Sequence, residues 1–308
     1  MPTEVARKTD PSGESGTRLL QSRDGMVPRP GRCREMGSWR VTSHPAADVD
    51  VVAALRRAGC VFAEDEARLL VGEARDPAEL AALVSRRCAG EPLEQVLGWA
   101  QFCGLRVRLL PGVFVPRRRT ELLVRLASVL ARRTPPGRLP GRPPVVVDLC
   151  CGSGAIGLAL ADRVGPLALT AVDVDPVAVR CAAANLEPVG GAALQGDLFG
   201  PLPERLRGQV DLVLASPPYV PTQAIALMPP EARLHEPAVA LDGGPDGLAL
   251  VRRLAADAGQ WLAPGGHLLA EFSAAQAPGA ASIAAGCGLR SRVVRSVALD
   301  ATVIVATR

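Results

Sequence analysis

The sequence predicts an α/β protein with a mostly parallel, doubly wound sheet, preceded by a small N-terminal helical domain and a β-hairpin linker. From residue 145 onwards, short apolar runs typical of strands alternate with stretches whose apolar residues recur every three or four positions. Connections of that length join parallel strands through helices. Residues 47–89 show only the helical spacing, and residues 96–115 alternate around glycines in the manner of a hairpin.

Composition and periodicity divide the chain into four parts. A polar first part, rich in Pro, Gly, Ser and Arg, is expected to be disordered or to precede the true start of the protein. The parts are this extension (1–46), a helical domain (47–92), for which the resemblance described below implies substrate binding, the hairpin linker (93–118) and the sheet domain (119–308).

Within the helical domain, Asp76 and Pro77 are typical of an N-cap followed by the first helical residue. In the sheet domain the pattern predicts strands at 145–149, 168–173, 192–194, 210–215, 267–272, 291–298 and 302–306, and helices at 119–133, 154–163, 176–186, 246–262 and 276–286. In such folds ligands bind outside the carboxyl ends of the strands.

Charge and cysteine usage exclude several classes of protein. The net charge is +4, but residues 1–45 hold 8 basic and 5 acidic side chains, which leaves 27 and 26 in the remainder. A nearly neutral body gives no electrostatic reason to expect nucleic-acid binding. The eight cysteines lack metal-ligand spacing and are expected to be reduced, which favours a cytoplasmic protein. No apolar stretch is long enough for a membrane span, and we expect a monomer.

A glycine-rich loop follows the first predicted strand of the sheet. Gly152, Gly154 and Gly157 fit the spacing G-x-G-x-x-G, and an acid, Asp173, ends the next strand. Taken alone, this pattern leaves a dinucleotide site open. Two details count against that site: the glycines begin two residues late, and Asp148 closes the strand where phosphates would lie.

S-adenosylmethionine suits the same residues better, because it carries a sulfonium and an ammonium and no phosphate. Asp148 is expected to hold its methionine end, directly or through water, while the loop backbone lies against it. Asp173 can accept both ribose hydroxyls, and Asp197 the adenine amino group, with Leu198 beside the ring. The alternative is that Asp173 and Asp197 only cap strand ends.

A distinctive tetrapeptide, Ser216-Pro217-Pro218-Tyr219, follows the fourth strand and includes the only tyrosine of the chain. An amide or aromatic amine nitrogen is a poor nucleophile, so it must be aligned by acceptors of its N–H groups. The Ser216 side chain and the Pro217 carbonyl are two such acceptors, and proline fixes the backbone that carries the carbonyl. Tyr219 can cover the plane of the acceptor. A simple Pro-Pro turn after a strand is the alternative.

These motifs resemble class I, Rossmann-like S-adenosylmethionine methyltransferases with the tetrapeptide [N/D/S]-P-P-[Y/F/W]. More narrowly, residues from about 50 to 308 are similar to HemK-type protein-glutamine N5-methyltransferases, which modify the Gly-Gly-Gln loop of peptide-release factors. Four further segments carry this resemblance in the family's order, at 90–107, 115–124, 236–254 and 262–272. It implies a protein substrate such as a release factor.

The resemblance also implies roles for individual residues. Ser216, Pro217 and Tyr219 would hold the glutamine amide, and Glu236 would neighbour the pocket. The residues that would contact the cofactor are Cys150, Cys151, Gly152, Ser153, Gly154, Asp173 and Leu198, to which the chemistry above adds Asp148 and Asp197. Ser216 is expected to contact the cofactor as well as the acceptor.

The chain departs from the family pattern at several positions. Serine stands at 216 where the family has asparagine, Cys150-Cys151 replace a glycine and a small residue, and Arg118-Arg119 replace Pro-Glu/Asp. The alternatives to glutamine methylation are therefore a base amino-methyltransferase (cytosine N4 or adenine N6), a small-molecule amide or amine methyltransferase, and a non-catalytic relative that binds the cofactor.

Overall fold

The computed structural model describes residues 45–133 and 141–308, without the side chains of residues 45–49. The predicted extension 1–46 lies outside these ranges except for its last two residues. The observations below therefore concern the helical region, the hairpin and the sheet.

The helical region packs around a small apolar cluster in which Leu55 and Leu70 are completely buried beside Val96. One helix begins where the sequence predicts it, because the Asp76 carboxylate accepts a hydrogen bond from the Glu79 backbone N–H at 2.8 Å. The fourth helix was not predicted, since a single turn is too short to show periodicity. The bounds are α1 (Pro45–Arg57), α2 (Ala63–Glu73), α3 (Pro77–Cys88) and α4 (Leu93–Leu97).

The hairpin prediction is confirmed by an antiparallel pair, β1 (Trp99–Phe102) and β2 (Leu105–Arg108). Its two-residue turn, Cys103-Gly104, has φ of 53° and 85°, as a tight hairpin turn requires. Helix α5 (Glu121–Ala131) follows after a short 3₁₀ turn, which is why it starts two residues later than predicted.

The sheet has the order β5-β4-β3-β6-β7-β9-β8 within the described ranges. The first five strands in that order are parallel, and β9 runs antiparallel to both of its neighbours. The strands are β3 (Val145–Leu149), β4 (Ala168–Asp173), β5 (Ala192–Gln195), β6 (Val210–Ala215), β7 (Leu262–Phe272), β8 (Arg290–Ser296) and β9 (Ala301–Thr307). The helices are α6 (Ala155–Val164), α7 (Pro176–Leu186), α8 (Pro230–His235), α9 (Ala249–Trp261) and α10 (Ala277–Gly286).

Two apolar clusters cover the two faces of this sheet. On one face Val146 of β3 packs with residues of α5 and α6, and on the other Val147 packs with residues of α9 and α10. Every residue of β3 and β6 is buried. This two-sided burial confirms the doubly wound architecture predicted from the strand–helix alternation.

The topology also fixes where a ligand can bind. The chain leaves β3 for β4 on one side of the sheet, and β6 later pairs on the other side of β3. A crevice opens where the strand order reverses in this way, outside the carboxyl ends of the strands. The glycine loop follows β3 and Ser216 follows β6, so both lie at that crevice.

Strand β7 starts five residues earlier than predicted. Val210 pairs with Leu262, but Leu212 pairs with His267, so the register shifts between them. The Pro-Gly-Gly segment at 264–266 occupies that irregularity, which is why the regular apolar pattern begins only at His267. Among the helices of the described ranges, none has both the length and the apolar character needed to cross a membrane.

Candidate active site

The glycine loop turns sharply between β3 and α6. Cys150, Gly152 and Gly154 all have positive φ, of 53°, 53° and 74°. A Cβ on Gly154 would lie 3.1 Å from the Cβ of Ala182 on α7, so glycine serves both the turn and the packing there. At Cys150 a non-glycine residue occupies a left-handed conformation, which costs about 1 kcal/mol.

A cavity of about 330 Å³ opens over this loop. A Cβ on Gly152 would meet nothing within 4 Å, so the backbone there is open to a ligand. The predicted site residues that line the cavity are Cys150, Cys151, Gly152, Ser153, Asp173, Asp197, Leu198 and Ser216. Gly154 and Asp148 are not among the lining residues.

Asp173 lies at the end of β4 and braces the loop. Its Oδ2 accepts from the Gly152 N–H at 2.9 Å, and its Oδ1 from the Asp175 N–H at 3.0 Å. Each carboxylate oxygen keeps a second lone pair for a ligand hydroxyl. Burial raises the pKa of this carboxyl group, and the two backbone N–H groups oppose the shift.

Asp148 is not among the lining residues of the cavity, so its contact with the methionine end of the cofactor, directly or through water, stays a prediction. Its side chain is completely buried, on the α6 side of the sheet, where Oδ2 accepts from the Gly157 N–H at 3.0 Å. Burial raises its pKa to about 8, with a smaller contribution from the nearby charge of Asp173. In this geometry the carboxyl group supports the start of α6.

Asp197 carries a partner that the sequence did not reveal. Arg253 of α9 donates from Nη2 to Asp197 Oδ2 at 2.6 Å, and both residues line the cavity. Neighbouring Arg252 pairs with Asp246 instead, and nothing in the sequence distinguishes the two arginines. Leu198, beside Asp197, is buried with a φ of 48°.

A second, smaller cavity of about 60 Å³ adjoins the first at the tetrapeptide. Ser216, Pro217, Pro218 and Tyr219 line it. The residues that line both cavities are Phe114, Arg117, Thr120, Ser216, Pro218 and Ala240. The chain thus forms two adjoining compartments, with Ser216 facing both.

Tyr219 is held from several sides. Its hydroxyl donates to Glu271 Oε1 at 3.4 Å, its ring lies 6.2 Å from that of Phe272, and its carbonyl accepts from Gln276 Nε2 at 2.8 Å. Burial raises the pKa of Tyr219 to about 12, helped by the charge of Glu271. The phenol is therefore neutral at physiological pH and does not act as a base.

Glu236 lines the second cavity, as expected of a neighbour of the pocket. It is buried, and its Oε1 accepts from the Arg117 guanidinium. Burial raises its pKa, and the charge of Arg117 opposes the shift.

The segment 243–247 supports the tetrapeptide from behind. The Gly243 N–H donates to the Val220 carbonyl at 2.8 Å, and a Cβ on Gly243 would lie 2.7 Å from Tyr219 Cα. These glycines lie in a segment that carried the family resemblance, but its spacing alone did not reveal this contact. Gln276 and Glu271 were likewise not predicted, because they reach the site from β7 and the residues that follow it.

The larger cavity fits S-adenosylmethionine on chemical grounds. Three carboxylates, Asp173, Asp175 and Asp197, line it against two guanidinium groups, Arg117 and Arg253, so the lining carries a net negative formal charge, which suits a cationic ligand and opposes a pyrophosphate. Its volume lies in the range of ligand sites for small cofactors. The open backbone at Gly152 provides the close approach that a Cβ would block.

Comparisons with known proteins agree with this geometry. The model of the family "Methyltransferase small domain" matches residues 105–242. A release factor glutamine methyltransferase of Gloeobacter violaceus is 42% identical over 205 residues, which cover 65% of this chain and 68% of the relative. That of Mycolicibacterium smegmatis is 41% identical over 212 residues, covering 67% and 72%.

A third relative is named for the methylation of a small molecule. The 4-amino-L-phenylalanine/4-methylamino-L-phenylalanine methyltransferase of Streptomyces pristinaespiralis is 39% identical over 193 residues, covering 63% of this chain and 65% of the relative. The two adjoining cavities agree with what these relatives show. The chain is an S-adenosylmethionine-dependent methyltransferase and belongs to the release factor glutamine methyltransferase family.

Proposed function

We propose that this enzyme methylates the side-chain amide nitrogen (N5) of a glutamine in a protein, with a peptide-release factor as its substrate. The observation that carries the proposal is the second cavity, which meets the cofactor cavity at Ser216. An acceptor seated there lies next to the transferable methyl group. The two release factor glutamine methyltransferases described above are named for the same acceptor, which supports the proposal.

The residues of the tetrapeptide perform the alignment that an amide nitrogen needs. The Ser216 hydroxyl and the Pro217 carbonyl accept the two N–H groups, which turns the nitrogen lone pair towards the methyl group. Tyr219, anchored through Glu271 and Gln276, covers the amide plane. When bound, S-adenosylmethionine supplies a methyl group on a positively charged sulfur. The methylated nitrogen becomes acidic and releases its proton to water, so no general base is needed.

We assign the cofactor by the same reasoning to the residues lining the larger cavity. When the cofactor is bound, Asp173 would accept hydrogen bonds from the ribose hydroxyls, Asp197 would accept from the adenine amino group beside Leu198, and the backbone at 150–153 would lie along the ligand; all of these residues line the cavity. Arg253 fixes the orientation of Asp197. Gly154 contributes through the turn that it permits.

The helical region is proposed to hold the protein substrate. Arg87 of α3 joins Glu66 of α2 at 2.6 Å and Glu231 of α8 at 3.3 Å, and so connects this region to the segment that borders the second cavity. Val61 and Phe62, at the start of α2, are 84% and 68% exposed. Their apolar surface is available to a protein partner.

Nucleic acid is not expected among the partners, since the charge of the chain outside residues 1–45 is nearly balanced. One chain supplies the lining of both cavities, so we propose that the enzyme works as a monomer. The seven cysteines of the described ranges are free thiols, which fits a cytoplasmic location.

One observation favours a second candidate, an aromatic amine of a small molecule as acceptor. Ser216 is shorter than the asparagine of the family pattern, which leaves more room for a ring that bears the nitrogen. The relative that acts on 4-amino-L-phenylalanine supports this candidate.

Labelled methyl donor tests the proposal. Purified enzyme incubated with a release factor should place label in a protein band that protease removes and nuclease does not. Label found only in nucleic acid, or only in 4-aminophenylalanine, would refute glutamine methylation. Chromatography with light scattering in the same buffer tests the monomer.

A further inference from the structure

Three consecutive arginines, Arg117, Arg118 and Arg119, precede α5 at the rim of the second cavity. Arg117 and Arg119 line the cavity, whereas Arg118 is exposed and is not among its lining residues. The family pattern has an acid at the position of Arg119. The chain has therefore reversed a charge at a residue that faces the acceptor.

The reversal changes the balance of charge inside the cavity. Its basic lining residues, Arg117 and Arg119, are matched by two acidic ones, Glu236 and Glu271, so the formal charges balance. An acid at 119 would leave one cation against three carboxylates. Because charges interact strongly in a partly buried cavity, the family arrangement repels an anionic acceptor and this one does not.

The guanidinium group of Arg119 has N–H groups that can bind a ligand. Its Nε donates to Glu271 Oε1 at 3.1 Å, and its side chain is 45% exposed. A guanidinium has four further N–H groups in a planar fork. It can therefore bind a carboxylate without releasing Glu271, which is buried and would lose its charged partner otherwise.

The distance between Arg119 and the tetrapeptide limits how far a carboxylate bound by Arg119 can lie from the acceptor. Its Cζ lies 5.7 Å from the centre of the Tyr219 ring. Since Tyr219 is assigned to cover the plane of the acceptor, a carboxylate bound by Arg119 belongs to the same residue or to its neighbour.

We propose that the second cavity contains a carboxylate subsite at Arg119, so that the preferred acceptor carries a carboxylate in the same residue as the methylated nitrogen or in the residue next to it. This inference rests on the proposed function for the location of the acceptor. The carboxylate has two possible sources: an acidic side chain beside the glutamine of a protein, or the carboxylate of a free amino acid whose amine is methylated.

The test compares acceptors that differ only in the carboxylate. Calorimetry on protein saturated with S-adenosylhomocysteine measures binding of a Gly-Gly-Gln peptide followed by Glu or by Gln, and of 4-aminophenylalanine or its carboxamide. We expect the acid member of one pair to bind at least about tenfold more tightly, as a charge-assisted hydrogen bond allows. The pair that shows this preference identifies the source.

Variants distinguish a direct contact between Arg119 and the carboxylate from an effect of the overall charge near the cavity. Arg119→Glu and Arg119→Gln should remove the preference, while Arg118→Glu, which makes the same change of charge outside the cavity, should keep most of it. An unchanged affinity for S-adenosylhomocysteine confirms that each variant is folded.

Equal affinity within both pairs, absence of acceptor binding, or an equal effect of Arg118→Glu would overturn the inference. Methyl transfer measured on the same samples tests the proposed function separately. Binding of the acid without transfer to any acceptor would refute the proposed function alone. Transfer with no preference for the acid would refute the carboxylate subsite alone.

Discussion

Gly243→Ala tests whether the backbone of the tetrapeptide must be held at its present position. A Cβ at 243 would lie 2.7 Å from Tyr219 Cα and 2.8 Å from both the Pro218 carbonyl oxygen and Gly247 Cα. All three are backbone atoms, so no flexible side chain can move aside. Comfortable contacts between carbon atoms need about 3.5–4.0 Å. To restore contacts in that range, the two segments must therefore separate by roughly 0.7–1.3 Å.

The effect on catalysis follows from that displacement. A misplacement of about 1 Å typically costs about 100-fold in rate, which corresponds to about 2.7 kcal/mol of activation free energy. Overpacking should also lower the free energy of unfolding by about 1–3 kcal/mol. Gly243 does not line the cofactor cavity, but Pro218, which the added Cβ displaces, lines both cavities; the affinity for the cofactor should therefore fall, by less than the tenfold that about 1.4 kcal/mol represents.

The assay is single-turnover methyl transfer to a release factor, with calorimetry of cofactor binding beside it. Gly259→Ala is the matched control, because Gly259 lies in α9 and a Cβ there would meet nothing within 4 Å. That control should be fully active and slightly more stable. Full activity of folded Gly243→Ala would refute the reasoning, as would a loss explained by weaker cofactor binding.

Three further predictions concern Ser216, Arg253 and Asp148. Ser216→Ala should lower turnover at least about tenfold and leave cofactor binding intact. A variant that loses affinity for the cofactor in calorimetry but keeps its turnover when saturated would contradict the assigned role. Arg253→Ala should weaken cofactor binding by several-fold, because Asp197 loses the guanidinium 2.6 Å away; unchanged affinity in calorimetry would disprove it. Asp148 has its pKa raised by burial from 3.8 to about 8, so the folded protein keeps a proton that the unfolded chain releases. The free energy of unfolding should therefore fall as pH rises between those values. Urea titrations at pH 5 and 8 should show a smaller fall for Asp148→Asn than for the wild type. An equal fall in both proteins would contradict the prediction.

Regular elements were predictable from local chemistry. The ends of β3, β4 and β6 agree with the predicted bounds, because continuous apolar runs end at Asp, Ser or Gly there. The start of α3 was set by Asp76 and Pro77, whose preference for helix beginnings is local. Short elements such as α4 and α8 were missed, since periodicity needs more than one or two turns.

The site was predictable only where its residues directly follow strands. Cys150, Asp173, Asp197 and Ser216 lie at the crevice because the topology brings strand ends together. Asp148 is one residue before the end of β3, and the sequence could not show that its side chain points to α6. In a strand buried on both faces, hydropathy does not distinguish the two directions.

Residues that act across long separations in the chain were not visible in the sequence. Glu271 and Gln276 hold Tyr219 from more than 50 positions away, and Arg253 reaches Asp197 across 56. Such pairs form only when the sheet assembles. The reversal of charge at Arg119 was visible, but its place in the acceptor cavity needed the fold.

The central claim is that the enzyme transfers a methyl group from a cofactor in the larger cavity to a glutamine amide in the smaller one. Tandem mass spectrometry of a release factor incubated with the enzyme and S-adenosylmethionine tests it most directly. We predict one added methyl group on the side-chain nitrogen of the glutamine in the Gly-Gly-Gln loop, and a strong reduction with Ser216→Ala. An unmodified glutamine in the presence of active enzyme, with the methyl group on another residue or another molecule, would contradict the claim.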